Sequence, residues 1–116
     1  MKKILIIGGG AMGSAFTFPC IDNKNEVTIT EPYNKTFIKN LASKNKFHPS
    51  LKISLPNKLK FKRYSKNIFE NKFDLIFSNF FCQLTSNFER LIENIFQSLN
   101  SNGFFIATIP SAENIY

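Results

Sequence analysis

Three glycines near the N-terminus have a spacing that suits phosphate binding. They follow the pattern Gly-x-Gly-x-x-Gly directly after an apolar run, residues 4–7. In this pattern the first glycine permits a tight turn, the second lets a diphosphate approach the main chain, and the third lets a helix pack closely on a strand. The free N–H groups and the positive dipole end of that helix attract phosphates. The segment therefore predicts a dinucleotide site, with a merely tight turn as the alternative. The predicted cofactor contacts are Gly8, Gly10, Ala11, Met12 and Gly13.

An acidic residue follows these glycines at a spacing that suits ribose binding. The β-branched segment 26–30 predicts a second strand, and Glu31 at its end lies 18 residues beyond Gly13. A carboxylate about 20 residues beyond the glycines accepts hydrogen bonds from the adenosine ribose hydroxyls. Because it also repels a 2′-phosphate, Glu31 predicts NAD as the cofactor, with NADP as the less favoured choice. A solvated charge at the strand end is the alternative interpretation.

A third group of candidates follows the apolar segment 73–77, which predicts another buried strand. In a doubly wound sheet, residues just beyond the carboxyl end of a strand line the ligand crevice. Asn79, Phe80 and Phe81 are therefore predicted to contact the nicotinamide or its ribose. Packing in the core explains the two phenylalanines equally well.

The sequence predicts no catalytic residue and no metal site. His48 is the only histidine and lies beside Pro49 in a predicted loop, residues 44–56, so a surface position is favoured over catalysis. Cys20 and Cys82 have no metal-ligand spacing and are predicted to be reduced, buried thiols.

Strand and helix patterns alternate along the chain and predict one fold class. They indicate an α/β, Rossmann-like, doubly wound parallel sheet of about five strands, in the order 3-2-1-4-5, with helices on both faces. Pro19 predicts a kink or an early stop of the first helix near residue 18, because proline removes a helical N–H. Asn34 predicts the start of a helix, and Ser86 with Glu89 forms a capping box for a helix that Asn102-Gly103 would end. The remaining predicted elements are an edge strand around residues 58–63, a helical turn at 65–71 and a fifth strand at 104–109.

Length and composition exclude several classes of protein. A chain of 116 residues predicts a single domain, and its 43% hydrophobic and 20% charged residues are ordinary for a globular protein. The net charge of +7 comes from scattered lysines without an aromatic-basic motif, so nucleic acid is not predicted as a partner. No apolar run reaches the roughly 18 residues of a membrane span, and no targeting segment is recognised. The cytoplasm is therefore the expected compartment.

The glycine motif and several short segments form a pattern that one enzyme family shares. The segments are residues 6–15, Pro19, Asp22-Asn23, residues 25–27, His48-Pro49, Leu51 and residues 74–76. Together they resemble the N-terminal, cofactor-binding domain of NAD(P)-dependent glycerol-3-phosphate dehydrogenase, and its archaeal-type branch in particular. Pyrroline-5-carboxylate reductase and ketopantoate reductase open in a similar way and are the sister families to weigh.

The resemblance implies a reversible hydride transfer between a nicotinamide and dihydroxyacetone phosphate, which gives glycerol 3-phosphate for phospholipid synthesis. It implies a small phosphorylated substrate and a helical C-terminal domain that supplies the main catalytic lysine. Residues 1–116 do not contain that domain, so the chain alone is expected to be inactive. A non-catalytic nucleotide-binding or interaction module is the alternative, and an uncovered fifth strand would favour self-association or association with a missing domain.

Overall fold

The computed structural model describes residues 1–43, 46–79 and 88–108. A five-stranded sheet, a two-stranded hairpin, three α-helices and a 3-10 helix make up these parts of the chain. In chain order the elements are β1 (Lys3–Ile7), α1 (Ala11–Asp22), β2 (Glu26–Thr30), α2 (Lys35–Ser43), β3 (Phe47–His48), β4 (Ile53–Ser54), β5 (Lys60–Phe61), the 3-10 helix (Lys66–Glu70), β6 (Phe73–Asn79), α3 (Phe88–Gln97) and β7 (Leu99–Thr108).

The main sheet is parallel throughout and has the strand order β5-β2-β1-β6-β7. This is the predicted order 3-2-1-4-5, so the α/β, Rossmann-like fold is confirmed. Ile4 of β1 lies opposite Val27 on one side and Leu75 on the other. Because all strands run the same way, the segments after β1, β2 and β6 meet at one edge of the sheet, where such folds bind their ligands.

Strand β1 is buried on both faces, which explains its unbroken apolar sequence. Leu5 and Ile7 pack with residues of the 3-10 helix and of α3. Ile4 and Ile6 pack on the opposite face with residues of α1 and α2. Burying each such side chain contributes about 1.5–3 kcal/mol. The helices therefore lie on both faces of the sheet, as predicted.

Helix α1 continues through Pro19 to Asp22, so the predicted early stop near residue 18 is wrong. The proline ring lies on the exposed side of the helix. Its carbonyl accepts hydrogen bonds from the Asn23 main-chain N–H at 3.1 Å and from the Asn23 side chain at 2.7 Å. Burial of Cys20 in the core holds the last turn in place despite the missing N–H.

The boundary between α3 and β7 also differs from the prediction. The helix ends at Gln97, and Leu99 already belongs to β7. The hydroxyl of Ser98 donates to the Phe69 carbonyl as well as to its own helix, and the Ser98 carbonyl accepts the Phe73 N–H at 2.7 Å. A serine whose hydroxyl and carbonyl both bond to residues outside its own helix competes with continuation of that helix.

Asn102 and Gly103, the predicted end of this helix, lie instead within β7. There the pairing with β6 shifts register, from Phe73 opposite Leu99 to Leu75 opposite Phe104. Phe96 near the end of α3 is 63% exposed. The predicted capping serine, Ser86, lies outside the described residues.

The remaining element predictions are largely confirmed. Asn34 caps α2 by accepting a hydrogen bond from the Thr36 N–H at 3.2 Å. The edge strand β5 and the 3-10 helix lie where the sequence predicted them. Residues 44–56 were predicted as loop, but they contain the β3–β4 hairpin, in which His48 lies opposite Ile53. Two-residue strands are too short to leave a periodic pattern.

Candidate functional site

The turn between β1 and α1 is built from glycines that the fold itself requires at two positions. Gly8 has a φ of +117°, which side-chain-bearing residues rarely adopt, and its N–H donates to the Thr30 carbonyl at 2.8 Å. A Cβ on Gly13 would lie 2.2 Å from the Gly8 carbonyl oxygen, so α1 can approach β1 only with glycine there. Both roles are those that the sequence pattern predicted.

Gly10 differs from these two glycines because a Cβ placed on it would meet nothing within 4 Å. Gly10 is exposed and is the N-cap residue of α1, and no side chain caps this helix. The first turn of α1 contains no acidic residue, and Ala11 and Met12 are exposed beside Gly10. An open space thus borders a helix start that carries partial positive charge.

Gly9, which the sequence pattern leaves free to vary, is as constrained as its neighbours. A Cβ there would lie 2.4 Å from the Phe37 ring. The Gly9 N–H donates to Glu31 Oε1 at 2.8 Å. The Gly9 carbonyl accepts the Ser14 hydroxyl at 2.9 Å and contacts His48 Nε2 at 2.9 Å. Both main-chain groups of Gly9 are therefore engaged within the protein.

Glu31 lies at the carboxyl end of β2, as predicted, but its carboxylate is turned toward main-chain donors. Besides Gly9, it accepts the N–H of Tyr33 at 2.6 Å and that of Asn34 at 2.9 Å, both through Oε2. Three bonds leave about one acceptor direction of the carboxylate for a ligand. Partial burial, with a smaller effect from the charge of Glu31, raises the pKa of Tyr33 above its ordinary value.

His48 is 3% exposed, so the predicted surface position is wrong. The Leu51 N–H donates to Nδ1 at 3.2 Å, which makes Nδ1 the acceptor and Nε2 the protonated nitrogen of the neutral ring. Nε2–H therefore donates to the Gly9 carbonyl. The Phe37 ring packs edge-on against the imidazole, with the ring centres 5.7 Å apart. No pattern in the sequence indicates the bond between His48 and Gly9, because 39 residues separate these two partners.

A cavity of about 460 Å³ opens beside Glu31, between the ends of β2 and β5. Its lining includes the apolar side chain of Ile38, the ring of Tyr64 and two basic residues, Lys39 and Arg63. This combination offers apolar surface to a flat ring and positive charge to an anionic group. None of its residues except Glu31 had been predicted as part of a site.

Asn79 lies next to the glycine turn, since a Cβ on Gly8 would be 3.4 Å from the Asn79 carbonyl oxygen. Its side chain accepts a hydrogen bond from the Thr108 hydroxyl of β7. The structure therefore brings together Gly8, Gly10, Ala11, Met12, Gly13, Glu31 and Asn79 at one edge of the sheet. Phe80 and Phe81 lie outside the described residues, and their predicted contacts stay predictions.

The remaining candidates for a functional role are the two cysteines and possible metal ligands. Cys20 is a free, buried thiol whose pKa is raised by burial, whereas Cys82 lies outside the described residues. Within residues 1–43, 46–79 and 88–108, no cluster of three or more His, Cys, Asp or Glu side chains could hold a metal ion. None of the helices described has both the length and the apolarity that crossing a membrane requires.

Comparison with solved structures shows the fold that this chain shares with others. A 2-dehydropantoate 2-reductase from Enterococcus faecalis matches with a TM-score of 0.59 and 18% identity over 92% of this chain and 33% of that one. A glycerol-3-phosphate dehydrogenase from Coxiella burnetii matches with a TM-score of 0.62 and 16% identity over 93% and 32%. D-mandelate dehydrogenase, solved with NADH and anilino(oxo)acetate, matches with a TM-score of 0.61 and 21% identity over 92% and 33%.

The chain spans about a third of the length of these three structures. Methyltransferases match as well, with TM-scores of 0.60 to 0.65. No protein-family model matches the chain, and no curated protein matches it by sequence. At identities of 12% to 21%, these likenesses show a Rossmann-like fold shared by two classes of enzyme.

Proposed function

We propose that this chain is the nucleotide-binding part of a dehydrogenase that uses NAD(H). The observation that carries the proposal is the open space at Gly10. Gly8 and Gly13 are glycines because the fold demands them, whereas nothing in the described protein occupies the position of a Cβ on Gly10. A diphosphate lying against the main chain is a ligand that would demand a glycine there.

Groups along the carboxyl edge of the sheet suit the successive parts of such a cofactor. The N–H groups at the start of α1 would donate to the diphosphate, because no side chain caps them. The cavity beside Glu31 would hold the adenosine, and the remaining acceptor direction of that carboxylate would take a ribose hydroxyl. Asn79, at the end of the neighbouring strand β6, would face the nicotinamide half.

The choice between NAD and NADP follows from charge. The Glu31 carboxylate repels a 2′-phosphate, which favours NAD. Lys39 and Arg63 line the same cavity and would attract such a phosphate, so NADP is the alternative cofactor. A bound nicotinamide cofactor would supply or accept the hydride. His48 is not proposed as the proton donor, because its Nε2–H is engaged with the Gly9 carbonyl and the ring is buried.

The proposed substrate is dihydroxyacetone phosphate, by resemblance to glycerol-3-phosphate dehydrogenase. The likeness to the Coxiella burnetii enzyme supports this choice, and the similar likeness to a 2-dehydropantoate 2-reductase makes a ketoacid the alternative. We expect the 116-residue chain to be inactive by itself, because the resemblance places the catalytic lysine in another domain. Reduction of dihydroxyacetone phosphate by the purified chain, above a no-enzyme control, would contradict this expectation.

Binding of S-adenosylmethionine is the competing function, because methyltransferases share the fold. The two classes of cofactor differ chemically in the diphosphate, which S-adenosylmethionine lacks. Titration calorimetry with NADH, ADP-ribose and S-adenosylhomocysteine therefore separates them. We expect heat from NADH and ADP-ribose and none from S-adenosylhomocysteine. Binding of S-adenosylhomocysteine alone would overturn the proposal.

Gly10→Ala tests the diphosphate site directly. The added methyl group meets no protein atom within 4 Å, and the φ of −64° at Gly10 suits alanine, so the fold should be kept. The methyl group would occupy the space proposed for the diphosphate, and we expect NADH affinity to fall at least about tenfold, which corresponds to about 1.4 kcal/mol. Calorimetry measures the affinity, and the thermal unfolding midpoint serves as the control for folding. Unchanged affinity in a folded variant would refute the assignment.

A further inference from the structure

Gly9 is held by three side chains, which come from α1, from β3 and from the segment that follows β2. Glu31 accepts its N–H, and Ser14 and His48 donate to its carbonyl. We call this set the Gly9 clamp. Ser14 is fully buried and His48 nearly so, which means that the Gly9 carbonyl points into the protein. Glu31 alone among the three was a predicted site residue.

The orientation of the Gly9 carbonyl fixes that of the next N–H group. The Gly9 carbonyl and the Gly10 N–H belong to one planar, trans peptide unit, in which C=O and N–H point in opposite directions. Because the carbonyl is drawn inward by two donors, the Gly10 N–H must point outward. Gly10 is itself exposed, and a Cβ on it would meet nothing within 4 Å.

The two donors to the Gly9 carbonyl also affect how strongly the Gly10 N–H can donate a hydrogen bond. Hydrogen bonds to the oxygen polarise the peptide unit and make its N–H a better donor. The clamp therefore affects both the direction and the strength of the Gly10 N–H. Neither effect requires His48 or Ser14 to touch a ligand.

On these grounds, and resting on the function proposed above, we propose that His48 is a positioning residue for nucleotide binding. Together with Ser14 it holds the Gly9 carbonyl so that the Gly10 N–H is aimed at the diphosphate. His48 thereby couples the β3–β4 hairpin to a site formed by β1 and α1. The role depends on Nε2 as a donor and not on proton transfer.

Two substitutions of His48 separate positioning from packing. His48→Phe keeps a flat ring against Phe37 and removes both hydrogen bonds, whereas His48→Gln retains an amide donor that can reach the Gly9 carbonyl. The probes are ADP, which carries the diphosphate, and adenosine, which lacks it. Calorimetry on the full chain measures both dissociation constants.

We expect His48→Phe to weaken ADP binding about tenfold, the worth of one good hydrogen bond, and to leave adenosine binding unchanged. His48→Gln should restore most of the ADP affinity. Equal losses for ADP and adenosine, or no loss for ADP, would overturn the proposal. If His48→Phe does not fold, Ser14→Ala removes one of the two donors without adding volume and should show the same loss confined to ADP.

The clamp can also be observed in the protein without nucleotide. The Gly10 amide resonance should shift in His48→Phe and return toward its original position in His48→Gln. A Gly10 resonance that ignores both substitutions would overturn the clamp, whether or not any nucleotide binds. Failure of the unsubstituted chain to bind either ADP or NADH would instead remove the function on which the role rests.

Discussion

At the scale of single residues, the glycines of one motif have different physical reasons to be glycine. A Cβ on Gly10 would meet open space, whereas Gly13 lets two elements of the protein meet. The Gly-x-Gly-x-x-Gly pattern predicted a separate role for each of these two positions. It did not indicate that the Phe37 ring would leave no room for a side chain at position 9. A substitution at each position therefore has a different expected effect.

Gly13→Ala should destabilise the fold before it affects any ligand. The added Cβ would lie 2.2 Å from the Gly8 carbonyl oxygen, which is main chain and cannot rotate away. We expect the free energy of unfolding to fall by about 1–3 kcal/mol, the usual cost of overpacking, despite the better helix propensity of alanine. Urea unfolding followed by circular dichroism measures it, and Gly10→Ala is the matched control. An unfolding midpoint equal to that of the control would show that α1 can shift at no cost.

At the scale of elements, one carboxylate connects three strands at the amino-terminal edge of the sheet. Asp74 of β6 accepts the Lys3 N–H of β1 at 2.8 Å and the Asn100 side chain of β7 at 2.9 Å. The bond from the Lys3 main-chain N–H, followed by that from Asn100, holds the pKa of Asp74 below its ordinary value. The ionised form is thus the one that the folded sheet prefers.

Asp74→Asn should make the protein less sensitive to acid. Because the pKa of Asp74 is depressed in the folded state, its contribution to stability is present above its unfolded pKa of about 3.9 and is lost as the pH falls through the folded value. We expect unfolding free energies at pH 6 and pH 3 to differ less in Asp74→Asn than in the original chain. Asp22→Asn, at an exposed position on α1, is the control and should leave that difference unchanged. If the unfolding free energy of Asp74→Asn changes as much between pH 6 and pH 3 as that of the original chain, the proposed role of the Asp74 carboxylate is contradicted.

At the scale of the whole molecule, the margin of the sheet formed by β7 is apolar. Strand β7 pairs with β6 and has no second partner among the described residues. Phe104 and Ile106 on this strand are 69% and 48% exposed, and they border a cavity of about 320 Å³ together with Ile4 and Leu75. An edge strand with exposed apolar side chains is a template for association between chains.

We expect the chain to self-associate through β7 as its concentration rises. Ile106→Lys should suppress association, because a charge on the exposed edge opposes pairing with another strand. Ile53→Lys is a matched control, since Ile53 on β4 is also 48% exposed but lies in the hairpin. Light scattering over a concentration series gives the mean mass. Equal masses for both variants, or a monomeric original chain at high concentration, would contradict an edge-mediated contact.

The sequence alone determined those features whose physical causes are local. An unbroken apolar run predicted the doubly buried strand β1, and three glycines predicted the turn that follows it. The alternation of strand and helix patterns predicted a parallel sheet, and the glycine motif after β1 indicated the strand order of a dinucleotide-binding fold. Asn34 predicted the start of α2 through its own capping bond.

Only the tertiary structure decided the features that depend on partners distant in the chain. The bond from His48 to Gly9 spans 39 residues, and the bond from Ser98 to Phe69 that accompanies the end of α3 spans 29. Such contacts leave no period in the sequence, because each depends on one side chain meeting one main-chain group after folding. The direction of the Glu31 carboxylate, toward the glycine turn, was decided in the same way.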